Sequence, residues 1–135
     1  MGYKYDYLDK KAYNTRSGSY KFKREYKFII DNSRNNFDKV LDIAGGSGRF
    51  AMPLYDYTEN ITVVDINTAA IQMLRERNCN INVICGDFTK IELQERYSLI
   101  LCIEAMGYFK NFEVFFNKIV WKNISYIASL IISYK

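Results

Sequence analysis

The chain has no histidine, a single proline (Pro53) and three cysteines among its 135 residues. Without histidine, zinc sites built on imidazole and every mechanism that needs a histidine base are excluded. Cys79, Cys85 and Cys102 are odd in number and lack the paired spacing of a metal site. We therefore expect no bound metal, and three small buried hydrophobic side chains in a reducing compartment.

Long apolar runs are also missing. No run approaches the roughly 20 residues that cross a membrane, and no signal peptide opens the chain. With 49% hydrophobic and 25% charged residues, the composition is typical of a globular protein. We expect one domain over residues 1–135, in the cytoplasm, with no membrane partner.

Positive charge and tyrosine are concentrated at the start of the chain. Residues 1–40 carry ten Lys/Arg against five Asp/Glu, within a net charge of +4 for the whole chain. Six of the twelve tyrosines lie there: Tyr3, Tyr5, Tyr7, Tyr13, Tyr20 and Tyr26. Basic and aromatic residues together can bind nucleic acid, but this excess of charge is small for phosphate binding. We expect a basic, tyrosine-rich helical cap over residues 1–37, with nucleic acid disfavoured as a partner but not excluded.

A glycine cluster after an apolar run is the main functional signal. Residues 40–50 read VLDIAGGSGRF, in which a short β-branched run leads into glycines and then into helix-forming sequence. This order is typical of a buried parallel strand that turns into a helix. Glycine permits positive φ and close approach of a ligand, while the free N–H groups of the next helix favour anionic or strongly polar groups. The turn is therefore a candidate nucleotide site.

The spacing of the glycines distinguishes between the known types of nucleotide-binding turn. A P-loop needs a lysine after its last glycine, and none follows here. The dinucleotide fingerprint G-x-G-x-x-G would use Gly46 and Gly48, with Ala51 in the third position. Some dinucleotide folds allow alanine there. The hypothesis of a nicotinamide-dependent dehydrogenase is thus less well supported, but it remains an alternative.

Alternating apolar segments and turn residues predict an α/β order for the whole chain. The first two predicted helices run from Tyr20 to about Asn35 and from Arg49 to about Tyr57. The next two are a helix capped by Asn67 or Thr68 that reaches about Arg77, and one capped by Asn111 that reaches about Lys122. The predicted strands are Lys39–Ala44, Asn60–Asp65, Ile81–Cys85, Ser98–Ile103 and Ser125–Ser133. In the last helix, Phe112, Phe115, Phe116 and Ile119 are expected on the core side.

Asp65 is a candidate ligand-binding residue in its own right. It ends the second predicted strand and lies 17 residues after Gly48. That spacing is close to the roughly 20 residues expected of the acid that accepts hydrogen bonds from ribose hydroxyls. The alternative is a simple cap on the next helix.

The segment Leu41-Asp42-Ile43-Ala44-Gly45-Gly46-Ser47-Gly48 resembles the first motif of class I S-adenosylmethionine-dependent methyltransferases, an acidic residue followed by G-x-G-x-G. Ala44 departs from the pattern, because the family usually has its first glycine there. The resemblance implies a Rossmann-like three-layer α/β sandwich with a mostly parallel five-stranded sheet, in the order 3-2-1-4-5. It covers about residues 38–133, and the family's usual C-terminal antiparallel hairpin is missing.

The same resemblance implies a cofactor site for S-adenosylmethionine. Its expected residues are Asp42, Ala44, Gly45, Gly46, Gly48, Asp65, Ile66, Gly86, Asp87, Phe88 and Glu104. Asp42 would orient the turn and the cofactor amine, Asp65 would bind the ribose, and Asp87 and Phe88 would meet the adenine. From charge and position alone, Tyr13, Arg16 and Tyr20 could close over the cofactor carboxylate.

The activity implied by the resemblance is methyl transfer to a small-molecule acceptor. A base is optional for this chemistry, and Glu104 and Tyr108 are the candidates. Their alternative roles are a solvated loop acid and a packing tyrosine. The alternative function is a non-catalytic cofactor-binding module or a subunit of a larger methyltransferase. Because the fifth strand would leave an apolar open edge, we expect a second copy or a partner chain to cover it.

Overall fold

The computed structural model describes residues 16–123 and 129–133, which form a parallel sheet between layers of helix. The helices are α1 (Arg16–Asn32), α2 (Ala51–Leu54), α3 (Thr68–Arg77) and α4 (Phe112–Asn123), and a short 3-10 helix spans Met106–Tyr108. The strands are β1 (Val40–Ile43), β2 (Ile61–Asp65), β3 (Asn82–Cys85), β4 (Leu99–Ile103) and β5 (Ser129–Ser133).

All four strand pairings are parallel, and the sheet order is β3-β2-β1-β4-β5. This confirms the expected fold class, strand number and strand order. In such a sheet the carboxyl ends of all strands reach the same edge, and the order reverses beside β1. Ligand-binding side chains are therefore expected where β1, β2 and β4 end. The described residues include no antiparallel strand.

Two hydrophobic cores cover the two faces of the sheet. Alternate residues of each strand point to opposite faces, so β1 contributes Val40 to one core and Leu41 to the other. The first core contains buried residues of α1, α2 and α3, among them Ile29, Leu54 and Leu74. The second core is closed by α4 through Phe115 and Ile119. The three layers of the predicted sandwich are thus present.

The first helix differs from its prediction at both ends. It begins at Arg16 instead of Tyr20 and ends at Asn32 instead of about Asn35. Ser17, Gly18 and Ser19, which precede the predicted start of this helix, are helical. The helix stops where Arg34 and Asn35 take positive φ values of 53° and 59°. Residues 1–15, the first part of the predicted cap, lie outside the described residues.

Several other expectations need correction. The helix after the glycine turn is only four residues long instead of reaching Tyr57. Cys79 and Cys85 are exposed, and only Cys102 is buried as expected. Phe112 is 48% exposed, although Phe115 and Ile119 do face the core. In the fifth strand, Ser129–Ser133 is confirmed and residues 125–128 lie outside the described part. No helix among the described residues is long and apolar enough to cross a membrane.

Candidate cofactor site

The glycine turn leaves the end of β1 in a left-handed backbone conformation. Ala44, Gly46 and Gly48 have φ values of 58°, 58° and 93°. For glycine this region is accessible without penalty, whereas a residue with a Cβ atom is strained there. Ala44 therefore has a left-handed backbone conformation at the position where the family usually has glycine. Its N–H donates to the carbonyl of Val64 at 2.7 Å, which fixes the turn against β2.

Asp65 joins the glycine turn to the end of β2. One of its carboxylate oxygens, Oδ2, accepts the N–H of Gly46, and the other, Oδ1, accepts the N–H of Asn67, both at 2.8 Å. A carboxylate oxygen has two lone pairs, so each can accept a further hydrogen bond from a ligand. Asn67 caps α3 as predicted, with its side-chain oxygen accepting the N–H of Ala70 at 3.1 Å. The Asp65 carboxylate can therefore serve both roles considered for it from the sequence, because it accepts the N–H of Asn67 before α3 and keeps lone pairs for a ligand.

Asp42 lies beneath the turn and is 2% exposed. Its Oδ2 atom is buried and accepts no hydrogen bond from the described residues. A Cβ atom on Gly45 would lie 2.6 Å from that oxygen, so only glycine fits between the carboxyl group and the space above the turn. Burial raises the pKa of Asp42 to about 7, and the negative charge of Asp65 contributes, while the Arg49 guanidinium opposes the rise. The carboxyl is thus poised to change its charge near neutral pH.

The segment after β3 forms the next part of the edge. The N–H of Gly86 donates to the carbonyl of Asp65 at 2.9 Å, which holds the segment beside β2. Asp87 Oδ1 accepts the N–H and the hydroxyl of Thr89 at 2.9 and 2.7 Å, and these hydrogen bonds lower the pKa of Asp87. Phe88 is buried against Phe115. The segment therefore presents an ionised carboxylate on an apolar base.

These elements surround a cleft of about 600 Å³. The predicted residues that line it are Ala44, Asp65, Ile66, Gly86, Asp87, Phe88 and Tyr108. The residues that line it without having been predicted are Val64, Asn67, Thr89, Lys90, Phe109, Lys110, Asn111 and Val114. Two carboxylates on a largely apolar wall suit a ligand with hydroxyl or amino donors beside a flat apolar ring. No group of three or more His, Cys, Asp or Glu side chains among the described residues could hold a metal ion.

Glu104 and Tyr108 occupy different surroundings. Tyr108 is 51% exposed at the cleft. Glu104 is not part of the cleft wall, and instead its Oε1 atom lies 2.5 Å from Lys21 Nζ and its Oε2 atom 3.8 Å from Arg49 Nη1. Although burial opposes it, these cations lower the pKa of Glu104. A weakened proton acceptor is a poor general base.

Two of the three residues expected at the cofactor carboxylate belong to α1. Tyr13 lies outside the described residues, and Arg16 and Tyr20 are exposed on the first turns of α1. The polar residues that α1 brings toward the glycine turn are instead Lys21 and Glu25. Sequence reasoning missed them, because an ion pair between residues more than twenty positions apart has no local pattern.

Comparison with known proteins relates this arrangement to a family. The chain is 31% identical over 87 residues to the ubiquinone biosynthesis O-methyltransferase of Rickettsia akari, which covers 61% of this chain and 34% of that protein. The structure resembles an S-adenosylmethionine-dependent methyltransferase from Clostridium acetobutylicum, with a TM-score of 0.67 and 21% identity over 76% of this chain and 46% of that one. It also resembles coclaurine N-methyltransferase, with a TM-score of 0.73 and 21% identity over 84% of this chain and 35% of that one.

The chain thus spans about a third of the length of the curated relative and less than half of each solved structure. The family model described as a methyltransferase domain matches residues 40–120, from the first strand to the last turns of α4. This match covers more than half of the chain and contains the whole cleft. The chain belongs to the methyltransferase domain family.

Proposed function

We propose that the cleft binds S-adenosylmethionine and that the protein transfers its methyl group to a small-molecule acceptor. The observation that carries this proposal is the position of Asp65. Its carboxylate lines the cleft and is hydrogen-bonded to the N–H of Gly46, so the ribose acceptor and the glycine turn form one unit. In this proposal, the nucleoside and the methionine part of the cofactor would lie on either side of the Asp65 carboxylate.

The adenosine end of the proposed cofactor fits the described cleft. Asp65 has the free lone pairs to accept ribose hydroxyl groups in one plane. Asp87 offers an acceptor for an exocyclic amine, and Ile66, 71% exposed beside it, offers apolar surface to a base. Phe88 closes the floor of this part of the cleft.

The methionine end would lie over the glycine turn. Gly46 and Gly48 have no side chains there, and the charge of an ionised Asp42 would favour an ammonium group above Gly45. Arg16 and Tyr20, at the start of α1, remain our candidates for the cofactor carboxylate, together with Tyr13.

When bound, the cofactor supplies a methyl group already activated by a positive sulfur. Placement of the acceptor in line with that methyl can then provide much of the rate. Tyr108, half exposed at the cleft, is positioned to contact the acceptor. Because Glu104 is held by Lys21 and Arg49, we propose that this chain contributes orientation and exclusion of water rather than a carboxylate base.

The names of the related proteins support a small acceptor. One is an O-methyltransferase of ubiquinone biosynthesis, and another, coclaurine N-methyltransferase, is described with N-methylheliamine bound. These names include both oxygen and nitrogen as methylated atoms. We therefore propose a small-molecule acceptor without choosing the atom.

Calorimetric titration with S-adenosylmethionine, S-adenosylhomocysteine and NAD tests the cofactor. We expect micromolar binding of the first two and none of NAD. Asp65→Asn should weaken binding at least about tenfold, the range of a lost charged hydrogen bond. Glu59→Gln is the matched control, because Glu59 is exposed beyond the opposite end of the same strand. Binding of NAD alone would indicate the dehydrogenase instead.

Incubation with methyl-labelled cofactor and a set of small phenols and amines tests catalysis. Transfer that depends on Asp65 would support the enzyme. Tight cofactor binding without transfer to any acceptor would favour the alternative of a non-catalytic module or a subunit of a larger methyltransferase.

We also propose that the protein works in the cytoplasm. Cys79, Cys85 and Cys102 are all free thiols, which suits a reducing compartment. Fractionation of cells that express a tagged protein would test this, and recovery in an oxidising compartment would contradict it.

The outer edge of β5 is proposed as a pairing surface for a second copy or a partner chain. Only the β4 side of β5 is paired among the described residues. Light scattering of the purified protein at micromolar concentration tests pairing with a second copy, and a clean monomer would contradict it.

A further inference from the structure

Four charged side chains from three elements form a closed cluster beside the glycine turn. Lys21 and Glu25 come from α1, Arg49 directly follows Gly48, and Glu104 follows β4. Arg49 Nη2 lies 2.7 Å from Glu25 Oε2, and Lys21 Nζ lies 2.5 Å from Glu104 Oε1. Lys21–Glu25 and Arg49–Glu104 complete the cluster at 3.7 and 3.8 Å. We call these four residues the polar latch.

Three side chains of the polar latch are largely withdrawn from water, whereas the fourth, Lys21, is 49% exposed. Arg49 is 6% exposed, and the side chains of Glu25 and Glu104 are 16% and 15% exposed. The Arg49 guanidinium also lies over the rings of Phe50 and Phe22, at 4.8 and 5.8 Å from their centroids. Ion pairs in such surroundings are screened less than surface pairs, so they can hold one element against another.

The two halves of α1 are attached in different ways. In the C-terminal half, Ile29 is fully buried in the first core, and the Tyr26 hydroxyl donates to the carbonyl of Pro53 at 3.4 Å. In residues 16–22 no side chain is fully buried. There, Lys21 pairs with Glu104, which follows β4, and the Phe22 ring stacks on Phe50, which follows the glycine turn.

Backbone strain supports a specific task for Glu104. Its φ is 56°, in the left-handed region that strains a residue with a Cβ atom. Ala44, at the end of the adjacent strand, has the same kind of conformation. Strained residues persist where the surroundings fix them, and they gather at ligand sites. In this conformation Glu104 has its carboxylate paired with Lys21 of α1.

We propose that the polar latch holds the N-terminal half of α1 over the glycine turn, and that Lys21 and Glu104 are positioning residues for the ligand end that meets this turn. The part concerning the ligand rests on the proposed function. The latch itself does not, because it concerns how α1 is held in the empty protein.

The test compares Lys21→Met and Glu104→Gln, singly and together, with Lys27→Met. Lys27 pairs with Asp31 on the same helix, but that pair is exposed and touches no other element, which makes it a matched control. Amide hydrogen exchange of the empty protein reports the state of α1 at residues 20–24, the first amides that the helix itself can protect. Dissociation of S-adenosylhomocysteine, followed by stopped flow, reports the ligand.

We expect each latch variant to speed exchange at residues 20–24 by about fivefold, the effect of one partly exposed ion pair. The double variant should exceed the single ones only slightly, because each single variant already breaks the Lys21–Glu104 pair and the further contacts, Lys21–Glu25 and Arg49–Glu104, are longer. Lys21→Arg should restore protection, since its guanidinium keeps the charge. Dissociation of S-adenosylhomocysteine should quicken by a similar factor, while the thermal midpoint stays near that of Lys27→Met.

Unchanged exchange in the latch variants, or the same change in Lys27→Met, would overturn the latch. Faster exchange with unaltered ligand dissociation would overturn the positioning role. If the unmodified protein does not bind S-adenosylhomocysteine, the proposed function fails, while the exchange data still decide whether the latch exists.

Discussion

Asp42 gives the sheet a titrating group at its centre, and removing it should change how stability depends on pH. We expect Asp42→Asn to become progressively more stable than the unmodified protein as the pH rises from 5 to 8. The reason is that the Asp42 carboxyl is only 2% exposed and lies near the Asp65 carboxylate, so its ionisation lowers the free energy of unfolding. Asparagine has nearly the same shape as aspartic acid, but its amide has no proton to lose in this pH range and stays uncharged.

The sign follows from the direction of the pKa shift. In the unfolded chain Asp42 ionises near its ordinary value of 3.8, whereas in the folded protein its pKa is about 7. Between these values the folded state holds the proton more tightly, so the free energy of unfolding falls as the pH rises through this window. Above pH 7 the contribution of this group is constant.

The magnitude comes from the width of the window. Each unit of pKa shift is worth about 1.4 kcal/mol, so the whole shift costs on the order of 4 kcal/mol. Between pH 5 and pH 8 the cost should grow by on the order of 3 kcal/mol, since about two units of the window lie in that range. This is a large fraction of the stability of an ordinary domain.

Urea unfolding followed by circular dichroism at pH 5, 6, 7 and 8 provides the measurement. The difference in unfolding free energy between Asp42→Asn and the unmodified protein should rise along this series and level off above pH 7. Other groups titrate in both proteins, so the difference isolates Asp42. A change in hydrogen bonding caused by the asparagine amide would shift this free-energy difference by the same amount at every pH. The prediction therefore concerns only how the difference changes with pH.

A difference that stays level within about 0.5 kcal/mol from pH 5 to 8 would refute the reasoning, because a buried carboxyl with this pKa must produce a slope. A difference that falls with pH would mean that Asp42 is stabilised as a carboxylate. In that case its neighbours, above all Arg49, outweigh burial.

Three further predictions concern stability in urea unfolding at pH 7. Ala44→Gly should raise the free energy of unfolding by roughly 0.5 kcal/mol, because release of left-handed strain exceeds the added freedom of the unfolded chain; a loss would show that the methyl group packs usefully. Gly48→Ala should lower it by about 2 kcal/mol, since φ is 93° and the new Cβ would lie 2.6 Å from Leu74 Cδ1; a neutral result would mean that the turn adapts. Phe115→Ala should cost roughly 3–5 kcal/mol and Phe112→Ala less than about 1 kcal/mol, because only Phe115 is buried; equal losses would contradict the assignment of the core face.

The sheet could be predicted because its signals are local. Each strand is a short apolar run followed by a turn residue, and the resemblance in residues 41–48 supplied the strand order. The cap of α3 followed from a single side chain, Asn67, which takes the predicted role. The same holds for Asn111, whose side-chain oxygen accepts the N–H of Val114 at 3.2 Å at the start of α4.

The errors have physical causes that a local pattern does not contain. Ser17, Gly18 and Ser19 are weak helix formers, yet they continue a helix whose packing is decided further on, at Phe22 and Ile29. Cys85 belongs to an apolar segment, but it ends β3, an edge strand of the sheet that the described residues form, and it is exposed.

The candidate site was predictable in part. Asp65, Asp87 and the glycines stand at strand ends, which a parallel fold brings to one edge. The partners of Glu104 were not predictable, since Lys21 and Arg49 approach it from distant parts of the chain. Ionic contacts of this kind depend on the final packing of α1 against the sheet.

The parallel order of the strands also governs how the chain reaches its native state. The central strand β1 pairs on one side with β2, about twenty residues later, and on the other with β4, about sixty residues later. During synthesis at the ribosome, the first hydrophobic core can begin to gather around β1, β2 and α3. The opposite side of β1 stays without its neighbour until β4 has emerged. At about 5–20 residues per second, that side of β1 stays unpaired in the nascent chain for a time on the order of seconds, and an exposed apolar strand favours aggregation during this time.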